Sequence, residues 1–204
     1  MTLRIGITGN IGAGKTTVCH EFARLGIPTY YADARAKELM VENTVLRRSI
    51  IAAFGPKTYT AEGALDRSFL SSIVFGDEAA LTTLNKLVHP AVAKDAVKWH
   101  KDQTAPYTLH EAAILYEIGA QEQYHAIVVV SCPEPIRQAR VVLRDGMTAQ
   151  AFRERAARQW SDAQKEAAAD YLIRNDGSCL LLPQILRVDR KLRAKAAESK
   201  ASRT

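Results

Sequence analysis

Cysteine is scarce in this chain. Its three copies, Cys19, Cys132 and Cys179, are scattered and odd in number. They make no C-x-x-C pair and no metal-ligand spacing, so neither a disulfide framework nor a thiolate metal site organises the fold; all three read as buried apolar thiols. The histidines form no H-x-x-x-H pair, which argues against structural zinc. No apolar run approaches the roughly 20 residues that span a bilayer. The opening "MTLRIGIT" also lacks the long apolar stretch and cleavage site of a signal peptide. A cytoplasmic location and no membrane partner are therefore expected. The tail "RVDRKLRAKAAESKASRT" carries seven basic and two acidic residues but no interleaved aromatic to stack on bases. It reads as a solvated helix face that frays at its end, and no nucleic-acid partner is expected. Internal repeats, low-complexity tracts and linkers are missing too, so 204 residues make one domain, with room for an insertion.

What is present is an ordinary globular mix, 47% hydrophobic and 25% charged, enough to bury a core without staples. A net charge of +6 suits an acidic partner such as a nucleotide or a phosphorylated metabolite. Short β-rich runs alternate with longer helical patterns. "LRIGIT" reads as a buried strand. Val18, Phe22 and Leu25 share one face of a helix from about Lys15 to Leu25, which Gly26 and Pro28 stop. "PTYYA" is a second strand, and Asp33 stands where an N-cap would open the next helix. Residues 42–103 are helical in pattern and poor in strands, an insertion between strands. "APYTLHEAAIL" returns to a strand, and "HAIVVVSCP" has the unbroken apolar run of an interior parallel strand. A helix from Pro133 through Arg144, more helix from Thr148 to about Ala169, the short strand "YLIRN" and a C-terminal helix complete the chain. The pattern predicts an α/β fold, a three-layer parallel sheet with helices on both faces. Trp99, Trp160, Phe22, Phe54, Phe69 and Phe75 are expected in the core.

One stretch carries chemistry. "GNIGAGKTT", Gly9–Thr17, follows the first strand and opens the first helix, and it fits G-x-x-x-x-G-K-[ST] at Gly9, Gly14, Lys15 and Thr16. The glycines let the backbone curl so that successive N–H groups face a phosphate, and Gly12 and Gly14 leave room for close approach. The helix adds its positive dipole end. In this reading Gly9, Asn10, Ile11, Gly12, Ala13, Gly14, Lys15, Thr16 and Thr17 line an ATP site. Lys15 reaches the β- and γ-phosphates, and the Thr16 hydroxyl is the ligand of Mg²⁺. The competing reading is a plain glycine turn between strand and helix.

Several triphosphate chemistries are disfavoured. Guanine-nucleotide switches use N-K-x-D, whereas this chain has "NKLV" at Asn85–Val88 inside a helical pattern. The interior strand "AIVVVSC" ends without the carboxylate of a motor ATPase. A small kinase fits the short chain, the early cradle and the late arginines. In order along the chain, "ITGNIGAGKTTV", "FARLGIPTYYADARAKEL", "FG", "EGALDR", "VF", "LNKLVHP", "ILYEIG", "RVVLRDGMT", "RAARQW" and "ADYLIRNDG" together resemble the dephospho-CoA kinases, which are P-loop small-molecule kinases related in fold to the nucleoside-monophosphate kinases. The chain departs from the family pattern at Tyr31, Ala113 and Ser131, where an aspartate, a proline and an acidic residue are usual.

The resemblance implies that ATP phosphorylates the 3′-hydroxyl of the dephospho-CoA ribose, giving CoA and ADP, with residues 42–103 binding the acceptor and residues 140–160 forming a lid. Spacing alone leaves Asp33 equally an N-cap or the base that takes the hydroxyl proton; the resemblance favours the base. Arg140 and Arg144, i and i+4 on one helix face, are expected over the phosphates, Arg140 in catalysis and Arg144 on ATP. Thr8 is a candidate for the acceptor ribose, or a packed strand residue. His89 either faces the acceptor or caps a helix starting at Pro90. Glu117 either helps hold the acceptor or the metal shell, or is a surface acid. A monomer or a weak homo-oligomer is expected. Another metabolite kinase of this fold, or a non-catalytic nucleotide-binding regulator, are the competing readings.

Overall fold

In the computed structural model, which describes residues 2–74 and 76–202, the first apolar run forms strand β1 (Leu3–Thr8), and helix α1 (Lys15–Arg24) starts directly behind the glycine turn. The order continues as β2 (Thr29–Tyr31), α2 (Ala32–Glu42), α3 (Thr44–Phe54), α4 (Arg67–Val74), α5 (Glu78–Lys101), β3 (Tyr107–Glu111) and β4 (Ala126–Ser131). It ends with α6 (Glu134–Asp145), α7 (Ala149–Ala156), α8 (Asp162–Ala167), β5 (Tyr171–Arg174) and α9 (Leu181–Ala201). Phe75, expected in the core, lies outside the described residues.

The chain divides into two units, Met1–Tyr31 with Asp102–Thr204, and Ala32–Lys101. The first holds the sheet. Its strands are all parallel, in the order β2-β3-β1-β4-β5. Every residue of β3 and β4 is buried, as unbroken apolar runs in parallel sheets require. One face is covered by α1 and α9, which bring Phe22, Ile185 and Leu192 onto Ile5, Ile7, Leu109 and Val128. The other is covered by α8 and the loop after β3, with Tyr116 on Ile127 and Val129. The strand order reverses at β1: the chain winds from there toward β3 and β2 on one side, and toward β4 and β5 on the other. Loops on either side of such a reversal part company, and ligands enter the gap at the carboxyl ends of the strands. The glycine turn lies at that gap.

The basic tail is not a fraying surface face. α9 runs to Ala201 with Ile185 and Leu192 fully buried. The Tyr107 hydroxyl donates to Asp189 at 2.7 Å, Arg193 donates to the Leu25 carbonyl, and Lys195 to that of His125. The helical segment expected from Thr148 to about Ala169 is two helices with a turn at 157–161. Thr148 caps α7, and Ser161 opens α8 in a reciprocal capping box with Gln164. These two N-cap side chains supply separate helix starts, which the apolar periodicity does not show.

The second unit is helical, with α2 as its first element. Its core is Leu39, Leu46, Ile50, Tyr59 and Val88. Arg35 ties α2 to α5 through Asp95 at 2.9 Å and also meets Glu38 and Glu42. Helix α5 passes through Pro90 without ending, so Pro90 opens no helix and His89 caps none. A proline there removes one ladder bond, which packing against α2, α3 and α4 compensates.

A buried histidine makes stability depend on pH. His110 in β3 is almost fully buried between the Tyr30 and Tyr124 rings, and its Nδ1 accepts from Arg4 at 3.1 Å. Burial first, and the Arg4 charge second, lower its pKa to about 3. The unfolded chain therefore takes up this proton near pH 6.5 and the folded chain does not, so stability is full above that pH and falls as pH drops toward 3. Between pH 6.5 and 4.5 the loss from this group is expected to be about 2 kcal/mol. Urea titrations of the wild type and His110→Gln should show it as a slope that the variant lacks; parallel slopes would contradict it.

Candidate active site

The glycine turn has the shape its sequence demands. Gly12 and Gly14 have φ of +82° and +89°, values that side chains resist. A Cβ on Gly12 would stand 2.6 Å from the Arg137 carbonyl oxygen. One on Gly14 would collide with the Asn175 amide nitrogen, with Arg140 Nη1 at 3.9 Å. Gly14 is also the N-cap of α1 and offers no side chain, so the first N–H groups of the helix are left for a ligand. Lys15 Nζ donates to the Gly9 carbonyl at 2.9 Å and lies 3.8 Å from Glu111 Oε1. Thr16 and Thr17 are exposed in the first turn of α1.

Arg140 points from α6 toward this turn, where its Nη1 also donates to Cys132 Sγ at 3.4 Å. Arg144, one turn on, is largely exposed and forms a fork with the Asp145 carboxylate at 2.7 Å; that pairing keeps its pKa above the arginine norm. The structure thus brings Arg140, and not Arg144, to the cradle. Thr8 is fully buried at the end of β1 and donates to the Ala113 carbonyl at 3.4 Å.

Glu117 is not a surface acid. β3 ends six residues earlier, at Glu111, and the chain then turns. Glu117 accepts from Lys165 at 2.9 Å and from the Trp160 amide at 2.8 Å, with its side chain only 12% exposed. Burial lowers the Lys165 pKa, against the pull of Glu117. Trp160, expected in the core, is 37% exposed and stacks on Tyr116 at 5.2 Å.

Asp33 lies in the first turn of α2, after Ala32, and is not an N-cap. In the same helical unit His89 is half-buried on α5. Burial lowers its pKa, and the nearby Asp33 charge works the other way. Two expected acceptor-side residues from distant parts of the sequence are therefore neighbours.

Sequence reasoning missed several groups. Glu111 is the carboxylate at the cradle, and an acid within the strand pattern "APYTLHEAAIL" could have signalled it. Arg137 is 2% exposed and reaches the carbonyls of Cys132 and Ile11 and the Asp162 carboxylate. Its signal was a third arginine on the face shared by Arg140 and Arg144. Asn175, which donates to the Ala13 carbonyl at 2.8 Å, had none in its spacing. At the Ala113 departure the backbone is used: the carbonyl accepts from Lys165, Gln159 and Thr8. At the Ser131 departure the hydroxyl meets Glu166, so a carboxylate still stands beside the end of β4.

A parallel sheet reversing at β1, a glycine nest opening α1, and a lysine and an arginine converging on it define a P-loop kinase. Comparison with known proteins narrows the class. The family model for dephospho-CoA kinase matches residues 3–180, and the chain belongs to that family. A dephospho-CoA kinase of Salinibacter ruber is 38% identical over 177 residues, covering 85% of this chain and 89% of that protein. One from Porphyromonas gingivalis is 34% identical, covering 95% and 96%. A crystal structure of a Thermus thermophilus protein superposes with a TM-score of 0.81 at 30% identity, covering 95% of this chain and 97% of that one.

Proposed function

We propose that this protein transfers the γ-phosphoryl group of ATP to the 3′-hydroxyl of the dephospho-CoA ribose, releasing CoA and ADP, the last step of coenzyme A formation. The observation that carries the reading is the cradle itself: a glycine nest at a helix start, with the Lys15 ammonium at its mouth between Gly9 and Glu111. Family membership supports the choice of acceptor.

In this transfer the 3′-oxygen attacks the γ-phosphorus in line, the bond to the β–γ bridging oxygen breaks, and ADP departs with the electron pair. Asp33 orients the hydroxyl and takes its proton. Backbone N–H groups of the turn hold the β-phosphate, Lys15 spans the β- and γ-oxygens, and Arg140 meets the charge spreading over the transferred group. Arg144 contacts ATP after leaving Asp145. Thr8, His89 and Glu117 serve the acceptor. Residues 42–103 receive the pantetheine arm, and 140–160 act as the lid.

The oxygen donors at the cradle fit Mg²⁺, a hard cation. Thr16 Oγ1 makes no hydrogen bond to another described residue, and the Glu111 carboxylate stands beside Lys15. Thr16 would hold the ion with Glu111 behind it, and the ion would neutralise charge on the β- and γ-oxygens. No helix among the described residues is long and apolar enough to cross a membrane. We place the enzyme in the cytoplasm, as a monomer or weak homo-oligomer.

Incubation of purified protein with Mg-ATP and dephospho-CoA is expected to yield CoA, detected by mass, and ADP in equal amount. Phosphorylation of a nucleoside monophosphate in place of dephospho-CoA, or ATP binding without turnover of either, would overturn the reading.

A further inference from the structure

The short stretch between α7 and α8 lies at the end of the segment assigned above to the lid, and it grips the phosphate turn from outside. Gln159 Oε1 accepts the Ile11 N–H at 2.9 Å, while its Nε2 donates to the Ala113 carbonyl at 3.3 Å. The Trp160 carbonyl and Asp162 Oδ1 accept from Asn10 Nδ2 at 3.1 and 2.7 Å. The Trp160 amide donates to Glu117. Arg137 closes the ring, donating through Nη1 to the Ile11 carbonyl at 3.1 Å and through Nη2 to Asp162 Oδ2 at 2.8 Å.

Both polar groups of Ile11 are thereby taken, the N–H by Gln159 and the carbonyl by Arg137. That matters because the next residue, Gly12, has the widest backbone freedom of any residue type and sits at φ +82°. A glycine turn left to itself samples many shapes, and ordering it would draw on the binding energy of the nucleotide. A turn anchored one residue upstream sends its following amides into the nest already aimed.

We infer that Gln159 is a positioning residue for nucleotide binding: its carboxamide bridges the Ile11 amide and the Ala113 carbonyl and keeps the phosphate turn in its receiving shape before nucleotide arrives. The inference rests on the reading that this turn receives the phosphates of ATP. Gln159 does not touch the reacting atoms in this scheme. It acts through the backbone of the turn, and its effect falls on nucleotide affinity rather than on the acceptor.

The test uses the full chain with two substitutions and MgADP as the probe. Gln159→Met removes acceptor and donor at similar length; Gln159→Glu keeps the acceptor for Ile11. Amide exchange followed by NMR at Ile11, with Ile5 in β1 as the internal reference, reads the turn directly. In Gln159→Met, exchange at Ile11 is expected to rise roughly 10-fold with Ile5 unchanged, and the Kd for MgADP by roughly 3- to 10-fold, the size of one lost hydrogen bond. The KM for dephospho-CoA should stay within about twofold, since the lost bond belongs to the nucleotide side. In Gln159→Glu, Ile11 should regain its protection. A merely structural role would lower the melting temperature without moving the exchange ratio or the MgADP affinity, and that result overturns the inference. So does loss of Ile11 protection in Gln159→Glu, a fall in wild-type Ile11 protection when MgADP is added, or a parallel rise in both substrate constants. Exchange and MgADP binding need no acceptor. A wild type that binds MgADP but leaves dephospho-CoA unphosphorylated would therefore count against the proposed function alone.

Discussion

Lys15→Met is expected to lower kcat by about 10³-fold, the upper end of what one preorganised charge donor supplies to a transition state. Two effects act together. The ammonium that spans the β- and γ-oxygens is gone, so charge developing on the bridging oxygen as the bond to phosphorus breaks has lost its nearest protein cation. Glu111, only 6% exposed and 3.8 Å from the Lys15 nitrogen, then faces the triphosphate without that cation between them. Burying a carboxylate beside phosphate oxygens is costly, so MgADP binding should weaken as well. Lys15→Arg should recover little, because a planar fork does not replace a compact ammonium between Gly9 and Glu111. Steady-state kinetics with calorimetric MgADP binding decide it; turnover within threefold of wild type in Lys15→Met would remove Lys15 from the mechanism.

Asp33→Asn is expected to cost about 10²–10⁴-fold in kcat, the span of a lost general base. The alternative is modest. An acid in the first turn of a helix favours that helix through the positive end of its dipole, by about 0.3–1 kcal/mol at an exposed position. Asp33 occupies such a place in α2. The two roles separate cleanly: a base predicts collapse of kcat with the melting temperature nearly unchanged and the KM for dephospho-CoA little moved, whereas a dipole partner predicts a small loss of stability with turnover intact. His89 sharpens the experiment. Because the Asp33 charge opposes the fall in the His89 pKa caused by burial, neutralising Asp33 should lower the His89 pKa further, a shift visible in its ring resonances.

Other parts of the site differ in how far their residue types disclosed them. The cradle was legible because it is local: strand, glycines, lysine and helix start lie within one short stretch, and its backbone geometry follows from the residue types. The sheet was legible because fully buried parallel strands are written as apolar runs, as in "AIVVVS". The strand expected through "AAIL" ends at Glu111; apolar residues continue past it into a buried turn, and apolarity does not distinguish the two. The helical character from Thr148 onward is written in the pattern, but the break between α7 and α8 rests on two side-chain caps. Pro90 was read as a helix start because its local cost is real, and only the packing around α5 outweighs it.

By itself the sequence determined the fold class, the glycine turn that opens α1, and the family to which the chain belongs, since each depends on neighbours in the chain or on motifs in a set order. Only the tertiary structure decided that Glu111 stands at Lys15, that Arg140 reaches the turn while Arg144 pairs with Asp145, and that Gln159 and Arg137 grip Ile11. Those partners are separated by dozens of residues or more, or share one helix face with equal claims. Their choice depends on where strands end and which side chains are desolvated together, which no local spacing encodes.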